Sequence, residues 1–196
     1  MGATREKASA ALALLLALAL AGPFAAAQQL PEREGFFDIR SAETVLNEGV
    51  HELEARLQLI LSDDALAALQ SGVPLRIELE LEVIRVRGLW VDAVEATLTL
   101  THELEYRPLS QRYIVRNLNS GDQDSFATLY SALNNLGRIQ GLPVIDDSLL
   151  DPDARYRLRL RARLSTRDYP AALRILFFWR SQWQLESEWY EWMLAR

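Results

Sequence analysis

Between Arg155 and Leu164, arginine recurs at every second position, with Arg155, Arg157, Arg159, Arg161 and Arg163 separated by Tyr156, Leu158, Leu160 and Ala162. On an extended strand this spacing puts five guanidinium groups on one face and apolar or small side chains on the other. Two chemistries fit. The row is either an anion-binding stripe for phosphate, polysaccharide or a lipid head group, or one side of a cross-strand charge ladder. Glu78, Glu80 and Glu82, and Glu95, Glu103 and Glu105, fall on the solvent-facing lanes of other expected strands. An unpaired arginine row would repel itself, so the ladder is the expected arrangement. Arg157, Arg159 and Arg161 are its central members and candidate interaction residues.

The late tryptophans are the second candidate surface. Trp179, Trp183, Trp189 and Trp192 crowd the C-terminal end, with Trp90 standing apart. Trp183 and Trp189 fall on one face of an expected terminal strand, Trp183 to Leu194. There they either close the core or form an aromatic platform for a sugar or membrane interface. The core role is favoured, with Trp183 and Trp189 kept as interaction candidates.

Other polar groups point to turns and cores. His51 and His102 both lie in apolar lanes of expected strands, and no third ligand stands at a metal-binding spacing. Asp146-Asp147 and Asp151-Pro152-Asp153 lack the glycine and terminal glutamate of a calcium loop and read as turn chemistry. No Gly-x-Ser-x-Gly elbow, phosphate-cradling glycine loop or His-Glu-x-x-His helix occurs. The expectation is therefore no catalytic residue, no metal and no cofactor.

The elements that position these residues are mostly strands. His51–Leu59 alternates apolar and polar. Ser62-Asp63-Asp64 caps a short helix, Ala65 to Gln70, ended by Ser71-Gly72. Leu75 to Val83 is the clearest strand, and the apolar phase then slips to Ile84 and Val86, the mark of a bulge. Val94 to Tyr106 follows, with Gln111 to Leu118 as its hairpin partner. Phe126, Leu129, Tyr130, Leu133 and Leu136 line one face of a second helix ended by Gly137. A turn-rich segment containing Pro143 then leads to the strand Tyr156 to Ser165. Ala171 to Trp179 fits either a short helix or a buried strand. The fold class expected is mainly β: an antiparallel β-sandwich or strongly curved sheet with two short helices.

Residues 1–27 read as a cleavable signal peptide. Arg5 and Lys7 precede the apolar run Leu12 to Leu20, Pro23 breaks it, and Ala25-Ala26-Ala27 suits a signal peptidase. The run is shorter than the roughly 20 apolar residues a membrane span needs. The mature chain, expected to start at Gln28, would be a single exported domain, residues 28–196, with 19 basic and 26 acidic residues. That balance disfavours nucleic acid and anionic membrane as partners recognised by bulk charge. No cysteine is present, which removes thiol catalysis, thiolate metal sites and a lipobox anchor, and leans towards a bacterial envelope. No transmembrane segment is expected after signal cleavage.

Leu136-Gly137-Arg138-Ile139, the arginine-laced Tyr156 to Arg163 and the run Trp183-Gln184-Leu185-Glu186-Ser187-Glu188-Trp189 resemble an exported proteobacterial family, domain of unknown function 4390. The resemblance runs from about Phe37 to Leu194. Members tend to be encoded beside a membrane sensor histidine kinase, so it implies an envelope partner of that kind and no catalytic residue. The functional expectation is a periplasmic, non-enzymatic binding or interaction module that works with a membrane sensor or another envelope protein. The alternative is an envelope hydrolase acting through carboxylates and arginines.

Overall fold

Nine strands are arranged in two antiparallel sheets that share one apolar core, with two short helices among the described residues. The computed structural model describes residues 33–88, 90–165, 183 and 185–195. The leader 1–27, the start at Gln28, the segment Ala171–Trp179 and Trp179 itself lie outside the described residues. The mainly β, sandwich-like architecture is the one expected.

The smaller sheet has the order β1-β2-β7. β1 (Phe36–Asn47) and β2 (Val50–Ile60) form a hairpin closed by Glu48 and Gly49, both with positive φ (48° and 87°). That is the two-residue turn whose twist matches paired strands. β2 buries His51, Leu53, Ala55, Leu57 and Leu59, as its alternation requires. β1 is not legible as alternation, because Arg40 is an extra residue between the pairs Ile39–Leu57 and Ser41–Arg56. This bulge moves the buried lane from Phe37 and Ile39 to Ala42.

The start of the segment read as turn-rich, Pro143 to Asp146, belongs to β7 (Arg138–Asp146), an edge strand paired with β2, whereas the rest, from Asp147 to Ala154, is turn as expected. β7 carries two bulges against β2, and Gly141 takes φ +60° at one of them. Pro143 is tolerated because the strand is at a sheet edge. A single 3-10 turn, Asp147–Leu149, leads on from it.

The larger sheet has the order β6-β5-β4-β3-β8-β9. Its centre is β3 (Leu75–Val86), flanked by β4 (Ala93–Arg107) and β8 (Arg155–Ser165). Ile77, Leu79, Leu81 and Val83 stand opposite Leu164, Ala162, Leu160 and Leu158 across the inner lane, and all are buried, as are Leu75 and Tyr156 at its two ends. The expected bulge near Ile84 is carried by β4, where Glu95 is the extra residue between the pairs Val83–Ala96 and Ile84–Val94. β5 (Arg112–Asn117) returns beside β4 as expected. Across the sandwich, the Trp192 indole N–H donates to Thr44 Oγ1 of β1 at 3.3 Å.

α1 (Asp63–Gln70) starts as read: the Ser62 hydroxyl accepts the Ala65 N–H at 3.3 Å. α2 (Leu129–Leu136) starts later than its apolar spacing suggested. Phe126 belongs to β6 (Gln123–Phe126), paired with Tyr113, and Thr128 caps the helix by accepting the Ser131 N–H at 3.1 Å. Ala132 and Leu136 form its buried face, whereas Tyr130 is 78% exposed. Gly137 ends the helix at ordinary φ, and its role is space. A Cβ there would lie 2.4 Å from Leu57 O, and the Gly137 carbonyl accepts the Leu57 N–H at 2.7 Å.

The expected terminal strand is shorter than Trp183 to Leu194. Among its described residues only β9 (Tyr190–Met193) is regular, and Glu186 makes an isolated bridge to Arg163. Arg163 pairs with Glu186 but Leu160 pairs with Tyr190, so one extra residue lies between the two pairings. Glu188 and Trp189 together stand opposite Arg161. This bulge puts Trp183 and Trp189 on opposite faces, contrary to the expectation of one shared face: Trp183 is buried in the core, and Trp189 joins the outer face.

Candidate functional site

The outer face of the larger sheet gathers four of the five candidate residues. Strand alternation on β8 sends its odd-numbered arginines outward, and the β3–β8 register sets Glu78 opposite Arg163, Glu80 opposite Arg161 and Glu82 opposite Arg159. Arg159 donates to Glu82 Oε2 from Nε at 2.7 Å and Nη2 at 2.6 Å. Arg163 does the same to Glu78 Oε2, at 2.8 and 2.7 Å. Arg161 reaches Glu80 at 2.8 Å and also bonds Glu186, and Arg163 Nη1 lies 3.8 Å from Glu80, joining neighbouring pairs. Arg157 pairs with Asp92 at 3.0 Å and with Glu191 at 3.4 Å.

Four arginines therefore meet six carboxylates, and the row carries no net positive charge. A polyanion would have to displace these partners one by one. Burial pulls the Arg161 pKa down, but hydrogen bonding to Glu80 and the charges of Glu186 and Glu80 outweigh it and hold the guanidinium pKa raised. Glu80, read as solvent-facing, is thus part of the ion-pair lattice.

Trp189 is enclosed by the same lattice. The guanidinium carbons of Arg159 and Arg161 each lie 4.3 Å from its ring centroid, within cation–π range. Its face is already taken by protein cations, which leaves little of a sugar-stacking platform. Trp183 is not part of this surface.

At one end of the face the lattice gives way to apolar side chains. Val94, Ile84, Arg157 and Met193 are successive cross-strand partners over β4, β3, β8 and β9. Ile84 is buried, but Val94 and Met193 are 51% and 52% exposed. The β3–β4 loop beside them presents Trp90 and Val91, which are 81% and 89% exposed. Asp92 ties that loop down by accepting the Arg87 N–H at 2.9 Å and the Arg157 guanidinium. An apolar patch bordered by paired charges results, a composition suited to protein contact. Sequence reasoning had set Trp90 aside. Its signal was a Trp-Val pair in a hairpin loop, where neither can be buried by its own strands.

The histidines are apart, on different sheets. The His51 ring is fully buried on β2, with Nε2 2.9 Å from Asp147 Oδ1. His102 lies on β4, where burial lowers its pKa. Among the described residues no group of three histidine or acidic side chains is placed to hold a metal. The other aspartates of the acidic turn are also engaged: Asp146 accepts the Ser148 N–H and hydroxyl, and these bonds lower its pKa; Asp151 accepts the Asp153 N–H and pairs with Arg85. No helix among the described residues is long and apolar enough to cross a membrane.

A family model described as a domain of unknown function, DUF4390, matches residues 36–193, from the first residue of β1 to the last of β9. The chain belongs to the DUF4390 family. No curated protein and no solved structure matches it. In this DUF4390 chain the family match therefore spans both sheets of the sandwich, including the arginine lattice and the apolar end.

Proposed function

We propose that this protein is a non-enzymatic interaction module of the cell envelope that docks a protein partner, a membrane sensor in the first instance, through the apolar end of its larger sheet. The observation that carries the reading is the exposed set Trp90, Val91, Val94 and Met193 beside the paired Arg157. Exposed apolar groups rimmed by polar ones mark contact surfaces, and tryptophan is enriched among the residues that dominate binding energy. Glu78, Glu80 and Glu82 of the same face support a module over a hydrolase, since each is held by an arginine rather than set against another carboxylate as acid and base. Residues 1–27 support the envelope address through their charged start, apolar run and small residues before Gln28.

The test is a cross-linking pull-down from envelope extract with the chain beginning at Gln28, run beside the double variant Trp90→Asp/Val91→Asp. A partner captured by the native chain and lost with the variant, at unchanged melting temperature, is the expected result. Equal capture by both, or no partner with either, would sink the proposal.

A further inference from the structure

A second feature lies on the other sheet, and it concerns two arginines without acids. Arg56 of β2 and Arg138 of β7 are direct cross-strand partners on the outer face of the smaller sheet. Like charges in that position are destabilising. The larger sheet has a comparable pair, Arg107 opposite Arg112, but there Arg107 meets Glu105 at 3.4 Å and Arg112 donates to Ser125 Oγ at 2.9 Å. Arg56 and Arg138 have no ion pair or side-chain hydrogen bond among the described residues. In a chain with 27 acidic and 21 basic residues, two facing arginines lacking a partner leave room for an anion from outside.

The backbone builds a cavity beside them. β7 begins at Arg138, whereas β2 runs on to Ile60, so the last residues of β2 have no strand at that side. α2 lies over the gap, joined to it by the Leu57 N–H bond to the Gly137 carbonyl. The half-open space enclosed is about 370 Å³, and Arg56, Arg138, Arg40, Ile60, Leu133 and Tyr130 line it. Arg40 is already engaged, by Asp38 at 2.8 Å and by the Gln58 side chain. Glu43 and Glu54 line a separate recess of about 330 Å³ that also reaches Arg56 and Arg138, but neither comes within ion-pair distance of them. Glu54 instead accepts the Gly141 N–H at 3.0 Å. The α2 cavity is thus lined by cationic and apolar side chains together. Tyr130, exposed on a helix whose other side is buried, stands at its wall.

We propose that the Arg56–Arg138 pair is the head of a binding site for an amphiphilic anion, a phosphate or carboxylate attached to an apolar body that rests on Leu133, Ile60 and Tyr130. The volume suits a small ligand, and planar guanidinium forks suit both oxyanions. This site is independent of the docking surface on the larger sheet.

Calorimetric titration of the chain beginning at Gln28 with decyl phosphate, decanoate, inorganic phosphate and decyltrimethylammonium, each below micelle formation, tests it. Saturable one-to-one binding of decyl phosphate or decanoate is expected, at least tenfold tighter than inorganic phosphate, with no binding of the cation. The ratio of the two decyl anions tells phosphate from carboxylate. Arg56→Gln/Arg138→Gln should weaken the anion at least tenfold, while its melting temperature without ligand stays equal or rises as the repulsion goes. Tyr130→Ala should weaken decyl phosphate and leave inorganic phosphate unaffected. The proposal fails if no anion binds, if the cation binds equally, if inorganic phosphate binds as tightly as the decyl anions, or if the double arginine variant binds normally or melts lower.

Discussion

Glu80 and Arg161 stand directly opposite each other across β3 and β8, with Arg161 Nη2 2.8 Å from Glu80 Oε2. The same guanidinium bonds Glu186 and lies on Trp189, so one side chain links three strands' worth of outer face. Arg161→Gln is expected to cost up to about 1 kcal/mol, near the upper end for cross-strand charge pairs, because both partners are mostly shielded from solvent. The loss should shrink in 1 M salt, where charges are screened over roughly 3 Å. Urea midpoints at two salt concentrations measure it. A salt-independent loss would assign the cost to the tryptophan contact instead.

Leu79→Ala should destabilise by about 2–5 kcal/mol, since Leu79 is buried between the sheets. Leu133→Ala should cost less, under about 2 kcal/mol, because Leu133 is only partly buried and faces the cavity under α2. Denaturant midpoints that rank the two in the opposite order would contradict the packing described for α2.

Gly137→Ala should destabilise by about 1–3 kcal/mol, because its new methyl group would meet the Leu57 carbonyl and push α2 away from β2. Gly88→Ala is the control: nothing lies within 4 Å of a Cβ there, and the change should be neutral or slightly stabilising. Thermal melts of the two variants check the contrast.

His102 contributes a defined pH dependence. Burial lowers its pKa, so below the ordinary histidine value of about 6.5 the unfolded chain takes up a proton that the folded chain resists. Stability is then full above that value and falls as the pH drops through it towards the folded pKa. His102→Gln should flatten this part of the profile between about pH 6.5 and 5, above the range where carboxylates titrate. Chemical denaturation of both proteins across that interval would show it, and parallel profiles would count against it.

How much was legible follows the strands' regularity. The inner lanes of β2, β3 and β8 and the Ser62 cap are set by residue alternation and local hydrogen bonding, so the chain alone determined them. It offered two glutamate rows as partners for the arginines, between which the β3–β8 register chose Glu78, Glu80 and Glu82. The tertiary structure decided the rest through register. Single extra residues at Arg40, beside Gly141 and at Glu188 shift a strand by one position, and each shift turns every later side chain to the other face. That is why β1 and β7 escaped the period-two reading, why Trp183 went inward while Trp189 went out to the arginines, and why Arg56 came to face Arg138. A bulge is selected by the partner strand's hydrogen bonds and by the core's demand for apolar side chains. Both come from residues far away in sequence, which a local pattern does not contain.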